Sequence, residues 1–547
     1  MGNNLVQKTI LYHEETKHSP SRYAKSSGFM DWENQPEPFR LFEGCPALGF
    51  PLSKKDSDAA YTCLYERGQN HTQEITFNNI GAFIELSMGI SAWKSFQGSS
   101  WALRMNPSSG NLHPTELYLI LPPMPEMGDK GGVFHYNPYF HALFARAGFD
   151  APFWDSVRSH FNLDGFFVGL SSIFWRESWK YGERAFRYCN HDVGHAMACL
   201  SFSANLLGWR VTYLNTLSSE DIETMLGFSK TKWVEFEREH PDLLLFVCKN
   251  TDMDIPRSMD NESLLQFRSL PFVGKPNPLS GDHVDWNIID QAALWTEKPR
   301  TDEMIYRYNS YPFLDGKCVD KKAAKIIRQR RSGQTYDGET SITREEFLSI
   351  MDRTMPRDKS APFDLELGEV SVHMVIFVHR VTDMDSGLYF LVRNEDHFED
   401  IKSGTDPGLL WEKPDFIPDT LPLYILKRCD CKAEAQMVSC DQDIAGDSAF
   451  SVGMIAKFRE NIEKSPYLYR HLFWETGMVG QVLYLEAEAY SVRGTGIGCF
   501  YDDLVHQLLG FRDNSYQSLY HFTVGGSVED ERLTTLSPYH HLEKNGK

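Results

Sequence analysis

The feature that most constrains this chain is that it repeats itself. Gly194 and Gly477 stand 283 positions apart, and at that offset Leu200 meets Leu483, Ala204 meets Ala487 and Thr212 meets Thr495. Leu226-Gly227-Phe228 falls on Leu509-Gly510-Phe511 at the same spacing. One position out of step, Phe450-Ser451-Val452-Gly453 echoes Phe166-Phe167-Val168-Gly169. At a shorter offset of 255 positions, Gly387-Leu388-Tyr389-Phe390-Leu391 matches Gly132-Val133-Phe134-His135-Tyr136 as a hairpin strand. A repeat this long is a whole α+β domain, not a solenoid unit. The chain is therefore read as domains at 1–255 and 301–547, joined by a proline-rich linker at 256–300. The repeated helices, expected at 192–207 and 477–490, are rich in small residues and can pack closely. Two such copies should dock as homodimer protomers do, in an internal pseudo-dimer that is otherwise monomeric.

The length of 547 residues accommodates this arrangement. A net charge of −20 excludes broad nucleic-acid binding and attraction to an anionic membrane. Any phosphate on a ligand must meet a local basic cluster. No run of about 18 apolar residues reads as a membrane span, and the N-terminus has no signal-peptide core. The ten cysteines read as reduced thiols of a cytoplasmic protein. Cys429-x-Cys431 with Cys440 lacks a fourth ligand at metal-site spacing, and His191 and His195 lack further ligands, so no metal is expected.

Helical patterns are read at 58–70 and 76–100, strands at 117–121 and 166–170, and a hairpin partner at 133–136. In the second half a helix at 321–332 ends in Arg328, Arg330 and Arg331, and strands follow at 370–379 and 387–392. Three motifs carry possible chemistry. Pro107-Ser108-Ser109-Gly110-Asn111-Leu112-His113-Pro114 is a donor-rich turn before a core strand, either a cradle for a planar polar ring or an ordinary turn. The arginines followed by Ser332 are either a phosphate grip or a solvated helix end favoured by the macrodipole. Gly494-Thr495-Gly496-Ile497-Gly498 reads as a loop whose glycines permit positive φ and close ligand approach. The serine loop occurs once. Its counterpart, expected near Pro362-Phe363-Asp364-Leu365, has no Ser-Ser-Gly-Asn, and the arginine cluster occurs only in the second half.

These motifs resemble the nitroreductase superfamily, in particular the SagB/ThcOx-type dehydrogenases, in tandem-duplicated form. The resemblance rests on Pro107 to Pro114, on Arg328-Gln329-Arg330-Arg331-Ser332-Gly333-Gln334-Thr335-Tyr336, and on Gly477-Met478-Val479-Gly480-Gln481 leading to Gly494 to Gly498, with Thr523-Val524-Gly525-Gly526 trailing. It implies two tandem domains, each a central, mostly antiparallel sheet flanked by helices. It also implies an oxidoreductase with FMN at the interface of the halves and NAD(P)H as co-substrate in a ping-pong cycle.

Carried over residue by residue, the resemblance assigns the phosphate end to Arg328, Arg330, Ser332, Gly494, Thr495 and Gly496. The ring end falls to Pro107, Ser108, Ser109, Gly110 and Asn111, with Gln481 as a further donor. The mirror site lacks both parts, apart from a possible remnant at Lys17-His18-Ser19-x-x-Arg22, so one FMN per chain is expected. Gln334 stands where relatives often carry a cation, and Arg532 is the nearest C-terminal candidate. In azoline-oxidising relatives a Lys-Tyr pair is associated with proton removal. Lys180 and Tyr181 match it, although Lys180 could simply pair with Glu177 or Glu183. The substrate is then a small molecule or a modified peptide. Two alternatives stay open: an azoline dehydrogenase working with a cyclodehydratase, and a flavin-binding or scaffold protein without catalysis.

Overall fold

The computed structural model describes residues 2–53, 55–309, 311–314 and 319–545. It contains two large sheets with the same strand order. From edge to edge the first runs Ala47–Gly49, Ala142–Phe149, Lys130–Asn137, Thr115–Met124, Gly165–Ile173, Glu239–Lys249, Trp209–Tyr213. The second runs Leu423–Arg428, Gly387–Leu391, Val372–Val378, Phe450–Lys457, Tyr516–Gly525, Arg493–Ile497. Apart from the extra edge strand Ala47–Gly49, the two orders correspond strand for strand, and every neighbouring pair is antiparallel. The α+β expectation and the duplication are both met at this level.

Strand alternation sorts side chains between cores. Leu117, Leu119 and Leu121 face a core shared by both sheets, as do Met374, Ile376 and Val378 of the second sheet. Tyr118 and Ile120 face an outer core of the first sheet, and Val375 and Phe377 face that of the second. Each such side chain removed from water is worth about 1.5–3 kcal/mol, so the inner core commits both halves to one another.

Two 22-residue helices, Ala185–Leu206 and Leu468–Ala489, cross in that core. Their crossing explains the repeated glycines. A Cβ on Gly194 would lie 2.2 Å from the Trp474 carbonyl oxygen and 2.9 Å from Gly477 Cα. A Cβ on Gly477 would lie 2.3 Å from the His191 carbonyl oxygen and 2.9 Å from Gly194 Cα. The backbones touch where neither helix carries a side chain.

The halves also exchange their ends. The N-terminal helix Gly2–Glu15 brings His13 against Tyr469 and Gln517 of the second half. The C-terminal strand Thr534–Leu536 pairs with Ile90–Phe96 of the first. That pairing overturns part of the helix expected at 76–100. The helix stops at Met88, and Ile90–Phe96 and Ser99–Arg104 form a hairpin. Residues 256–300 hold two helices, Asn261–Ser269 and Asn287–Trp295, which pack through Phe267, Ile289, Ala292 and Ala293. Among the described residues no helix is long and apolar enough to cross a membrane.

Candidate functional site

The serine loop is held rigidly between the hairpin and the first long helix. Gly110, Asn111 and His113 all have positive φ, at 59°, 60° and 54°. Such backbone is costly for Asn and His and persists where surrounding contacts impose it. Ser108 Oγ accepts from His113 N at 2.8 Å, Asn111 Nδ2 donates to Ala102 O at 2.9 Å, and Arg176 donates to His113 O at 2.8 Å. Asp192, on the long helix, accepts from both Ser109 N at 3.0 Å and Ser109 Oγ at 3.2 Å. A Cβ on Gly110 would lie 2.5 Å from Tyr181 Oη and 3.2 Å from Lys180 Nζ. Glycine is therefore needed here for space as well as for φ.

The other two motifs come from the second half and lock together. Ser332 forms a parallel bridge with Gly494, Gly333 N donates to Gly494 O at 3.2 Å, and Thr495 Oγ1 donates to Gly333 O at 2.6 Å. Residues 494–498, expected as a loop, are mostly strand, within Arg493–Ile497. None of Gly494, Gly496 and Gly498 has positive φ. Their glycines clear room for aromatic walls instead. A Cβ would lie 2.8 Å from Phe522 at Gly494, 1.9 Å from Tyr520 Oη at Gly496, and 2.5 Å from Tyr188 at Gly498. Tyr484 Oη lies 2.9 Å from Ser332 Oγ and accepts from Gly496 N at 3.0 Å.

These pieces enclose one cavity of about 920 Å³, within the range of cofactor and small-ligand pockets. Pro107, Ser108, Ser109, Gly110, Asn111 and Tyr181 line one side. Arg328, Arg330, Ser332, Thr495 and Gly496 line the other. Residues more than 200 positions apart in sequence thus share one wall system. Arg330 is 4% exposed, donates to Arg104 O across the two halves at 3.0 Å and stacks over the Tyr484 ring. Its Nε has no hydrogen-bond partner, and neither has Asp192 Oδ2. Buried polar atoms of this kind normally find partners, and these two belong to residues on opposite sides of the cavity lining.

The two ends differ electrostatically. Burial, with Arg330 and Arg493 adding like charge, pulls the Arg331 guanidinium down to about 10, which marks a concentrated cationic wall. At the serine loop, burial pushes the Asp192 carboxyl up to about 7, against the pull of the Ser108 and Ser109 donors. Burial and the nearby Asp192 charge raise the Glu177 carboxyl, and burial with Glu177 raises the Tyr181 hydroxyl well above its ordinary value. Burial pushes His195 down to about 3, so it is neutral.

Several expected residues stand elsewhere or do other work. Arg328 reaches the wall, but its guanidinium is engaged by Asp56 at 2.7 Å and Glu85 at 2.8 Å, so it braces the wall and is not free for a ligand anion. Gln481 is buried behind His195, accepting from its Nδ1 at 3.3 Å, and does not line the cavity. Gly494 lies one residue behind the wall. Lys180 also lies off the wall, with Nζ 5.1 Å above the Tyr181 ring. Gln334 does line the cavity, whereas the exposed Arg532 pairs with Asp530. Asp192, Tyr484 and Tyr520 also line the cavity and belong to none of the three sequence motifs. The repeat held a signal for the first, because the residue 283 positions after Asp192 is Glu475, another acid.

Glu475 marks the equivalent place in the second half. It accepts from Ser371 N at 3.0 Å, as Asp192 does from Ser109 N. The space beside it is only about 90 Å³. Tyr306, Tyr308 and Phe363 wall it in, and Arg393 pairs with Glu475 in an ion pair. Lys17 and Arg22 do not line it. Lys17 pairs with Glu14 and Asp503, and Arg22 with Glu15.

No family model matches the chain, and no curated protein matches it. Solved structures do. A protein of Anabaena variabilis named for the nitroreductases superposes with a TM-score of 0.66 at 20% identity, covering 95% of this chain and 99% of its own. A similarly named protein of Ralstonia eutropha gives a TM-score of 0.27 at 11% identity, covering 42% of this chain and 98% of its own. The microcin synthetase McbBCD complex of E. coli gives 0.25 at 15%, covering 46% of this chain and 95% of that one. The first of these spans nearly the whole chain, and this protein has the nitroreductase fold.

Proposed function

We propose that this chain is an FMN-dependent oxidoreductase that binds one FMN between its halves and uses NAD(P)H as co-substrate in a ping-pong cycle. The supporting observation is the meeting of the serine loop with the Arg-x-Ser and Gly-Thr-Gly segments around one cavity. The donor set suits FMN: a cationic end with hydroxyls for a phosphate, and a rigid polar loop among aromatic rings for a planar system. Arg330 and Ser332 would hold the phosphate, with Thr495, its hydroxyl committed to Gly333 O, bracing the segment beside them. Ser108, Ser109, Gly110 and Asn111 would flank the ring, with Pro107 fixing where the loop starts. Bound FMN would supply hydride transfer, taking a hydride from the nicotinamide and passing it to a second substrate.

The chain's own residues orient and supply protons. Asp192 fixes the loop by accepting both Ser109 donors. The Tyr181 hydroxyl stays protonated at neutral pH and faces the cavity, which suits a proton donor. The small space beside Glu475, about 90 Å³, supports one FMN, not two. In this view residues 1–255 and 301–547 are the two domains, joined through 256–300 as an internal pseudo-dimer, monomeric otherwise and cytoplasmic. The substrate is a small molecule or a modified peptide.

A second enzymatic reading has one observation in its favour. Tyr181 Oη and Lys180 Nζ both crowd Gly110 of the serine loop. Lys180 could then take a proton while an azoline ring in a peptide loses hydride, with Tyr181 beside it. Absorbance of the purified protein near ~450 nm tests the flavin assignment. Flavin released on denaturation should equal one per chain, and NAD(P)H should bleach it without air. A colourless protein that gains no thermal stability with added FMN refutes the proposal and leaves a scaffold role. Nitroarene reduction against thiazoline-peptide oxidation separates the two enzymatic readings.

A further inference from the structure

Cys499 follows Gly498 directly and lines the large cavity. Its Sγ lies 3.1 Å from Cys440 Sγ, 59 residues earlier in the chain. Both are free thiols and both are partly exposed, so small oxidants can reach them. The segments carrying them are fastened on either side of the sulfurs. Tyr501 N donates to Val438 O at 2.9 Å, Gln442 Nε2 to Cys499 O at 2.9 Å, and Tyr501 Oη to Asp441 at 3.0 Å. Cys440 and Asp441 both sit in left-handed backbone, each at φ 56°. Non-glycine residues rarely adopt that conformation, and two in succession indicate an imposed turn. The turn presents Cys440 to Cys499. Closing from this separation to a bond of about 2.05 Å needs a shift of about 1 Å.

We infer that Cys440 and Cys499 form a redox-active dithiol at the wall of the cavity, closed to a disulfide by a peroxide and reopened by a thiol reductant. Cys499 is the attacking sulfur. The hydrogen bond shared with Cys440 and the charge of Arg184 hold its thiol below the ordinary value, although burial opposes them. The Cys499 thiolate attacks one peroxide oxygen, the O–O bond breaks, and a sulfenic acid and one water result. The Cys440 sulfur then attacks the sulfenic sulfur, the S–O bond breaks, and a second water leaves. Two thiols lose two electrons and two protons, and hydrogen peroxide is reduced to two waters. Gln442 also lines the cavity, so closing the bond ties two parts of one wall together. Reversible pairs of this kind suit a reducing compartment, where lasting disulfides are rare.

The test uses the full chain, reduced and then treated with stoichiometric hydrogen peroxide, alkylated with iodoacetamide and digested with trypsin. Complete cleavage leaves Cys440 alone in peptide 433–457 and Cys499 alone in peptide 494–512. The expected product is these two peptides joined, short of two hydrogens, and separated again by dithiothreitol. In C440S the link should vanish and Cys499 should instead gain oxygen, whereas C429S should leave the link intact. Both peptides fully alkylated after peroxide would overturn the inference. So would a link from either cysteine to a different partner. If C440S fails to fold, the wild-type peptide map decides by itself. The readout is a mass and holds with or without flavin.

Discussion

Asp192→Asn isolates the buried carboxyl on which the serine loop rests. Asp192 is 1% exposed, and its carboxyl is pushed up to about 7 from an ordinary 3.8. In the unfolded chain it ionises near the ordinary value. Between about pH 4 and about pH 7 the unfolded state therefore releases a proton that the folded state keeps, and stability falls as pH rises. A shift of about three units at roughly 1.36 kcal/mol each comes to about 4 kcal/mol, lost across that window and constant above it. Asparagine keeps an oxygen to accept from Ser109 N and Oγ but cannot ionise. The variant should match the wild type near about pH 4 and exceed it by up to about 4 kcal/mol at about pH 8. Denaturant unfolding of both proteins at the two pH values measures the gap. A gap that does not change with pH would refute the reasoning, because Asp192 would then be ionised in the folded protein.

Gly194→Ala should destabilise by about 1–3 kcal/mol, although alanine gains about 1 kcal/mol in an open helix. Here the new Cβ meets backbone of the partner helix, and Gly477→Ala should cost a similar amount, non-additively, by denaturant unfolding. Arg330→Met should weaken FMN binding about tenfold or more, because it removes a charged hydrogen-bond donor, and should cost about 1 kcal/mol of stability with the bond to Arg104 O. Arg328→Met should do the reverse, costing about 3 kcal/mol through the ion pairs with Asp56 and Glu85. Flavin-fluorescence titration beside denaturant unfolding separates the two outcomes. Gly496→Ala should leave a folded protein with little flavin, since its Cβ would strike Tyr520 Oη. Adding Tyr520→Phe should restore part of the binding, and no recovery would show that the clash lies elsewhere.

Local and periodic features were legible in the chain. The 283-residue offset located both long helices, and short apolar runs located the strands at 117–121, 370–379 and 387–392. Pro107 and Pro114 bounded the serine loop, because proline limits φ wherever it stands. The hairpin at 90–104 was missed. Ile90–Phe96 gains its second partner from Thr534–Leu536, more than 400 residues away, and local propensity carries no trace of that pairing. The left-handed φ expected at residues 494–498 was the wrong reason for the right glycines. A missing side chain can serve the backbone or a neighbour, and only the positions of Tyr520 and Tyr188 show which.

The sequence by itself determined that there are two copies, that they share a core along glycine-bearing helices, and which segments differ between them. These follow from periodicity and repetition, which one strand of text records. The tertiary structure decided which arginine is free. Arg328 and Arg330 are equivalent as residues, yet one is held by Asp56 and Glu85 while the other lines the cavity with no acid paired to it. It also decided that burial pushes the Asp192 carboxyl up to about 7, that the space beside Glu475 is only about 90 Å³, and that Cys440 faces Cys499. Each depends on distances between segments remote in the chain, and charge, burial and reactivity are set by those distances.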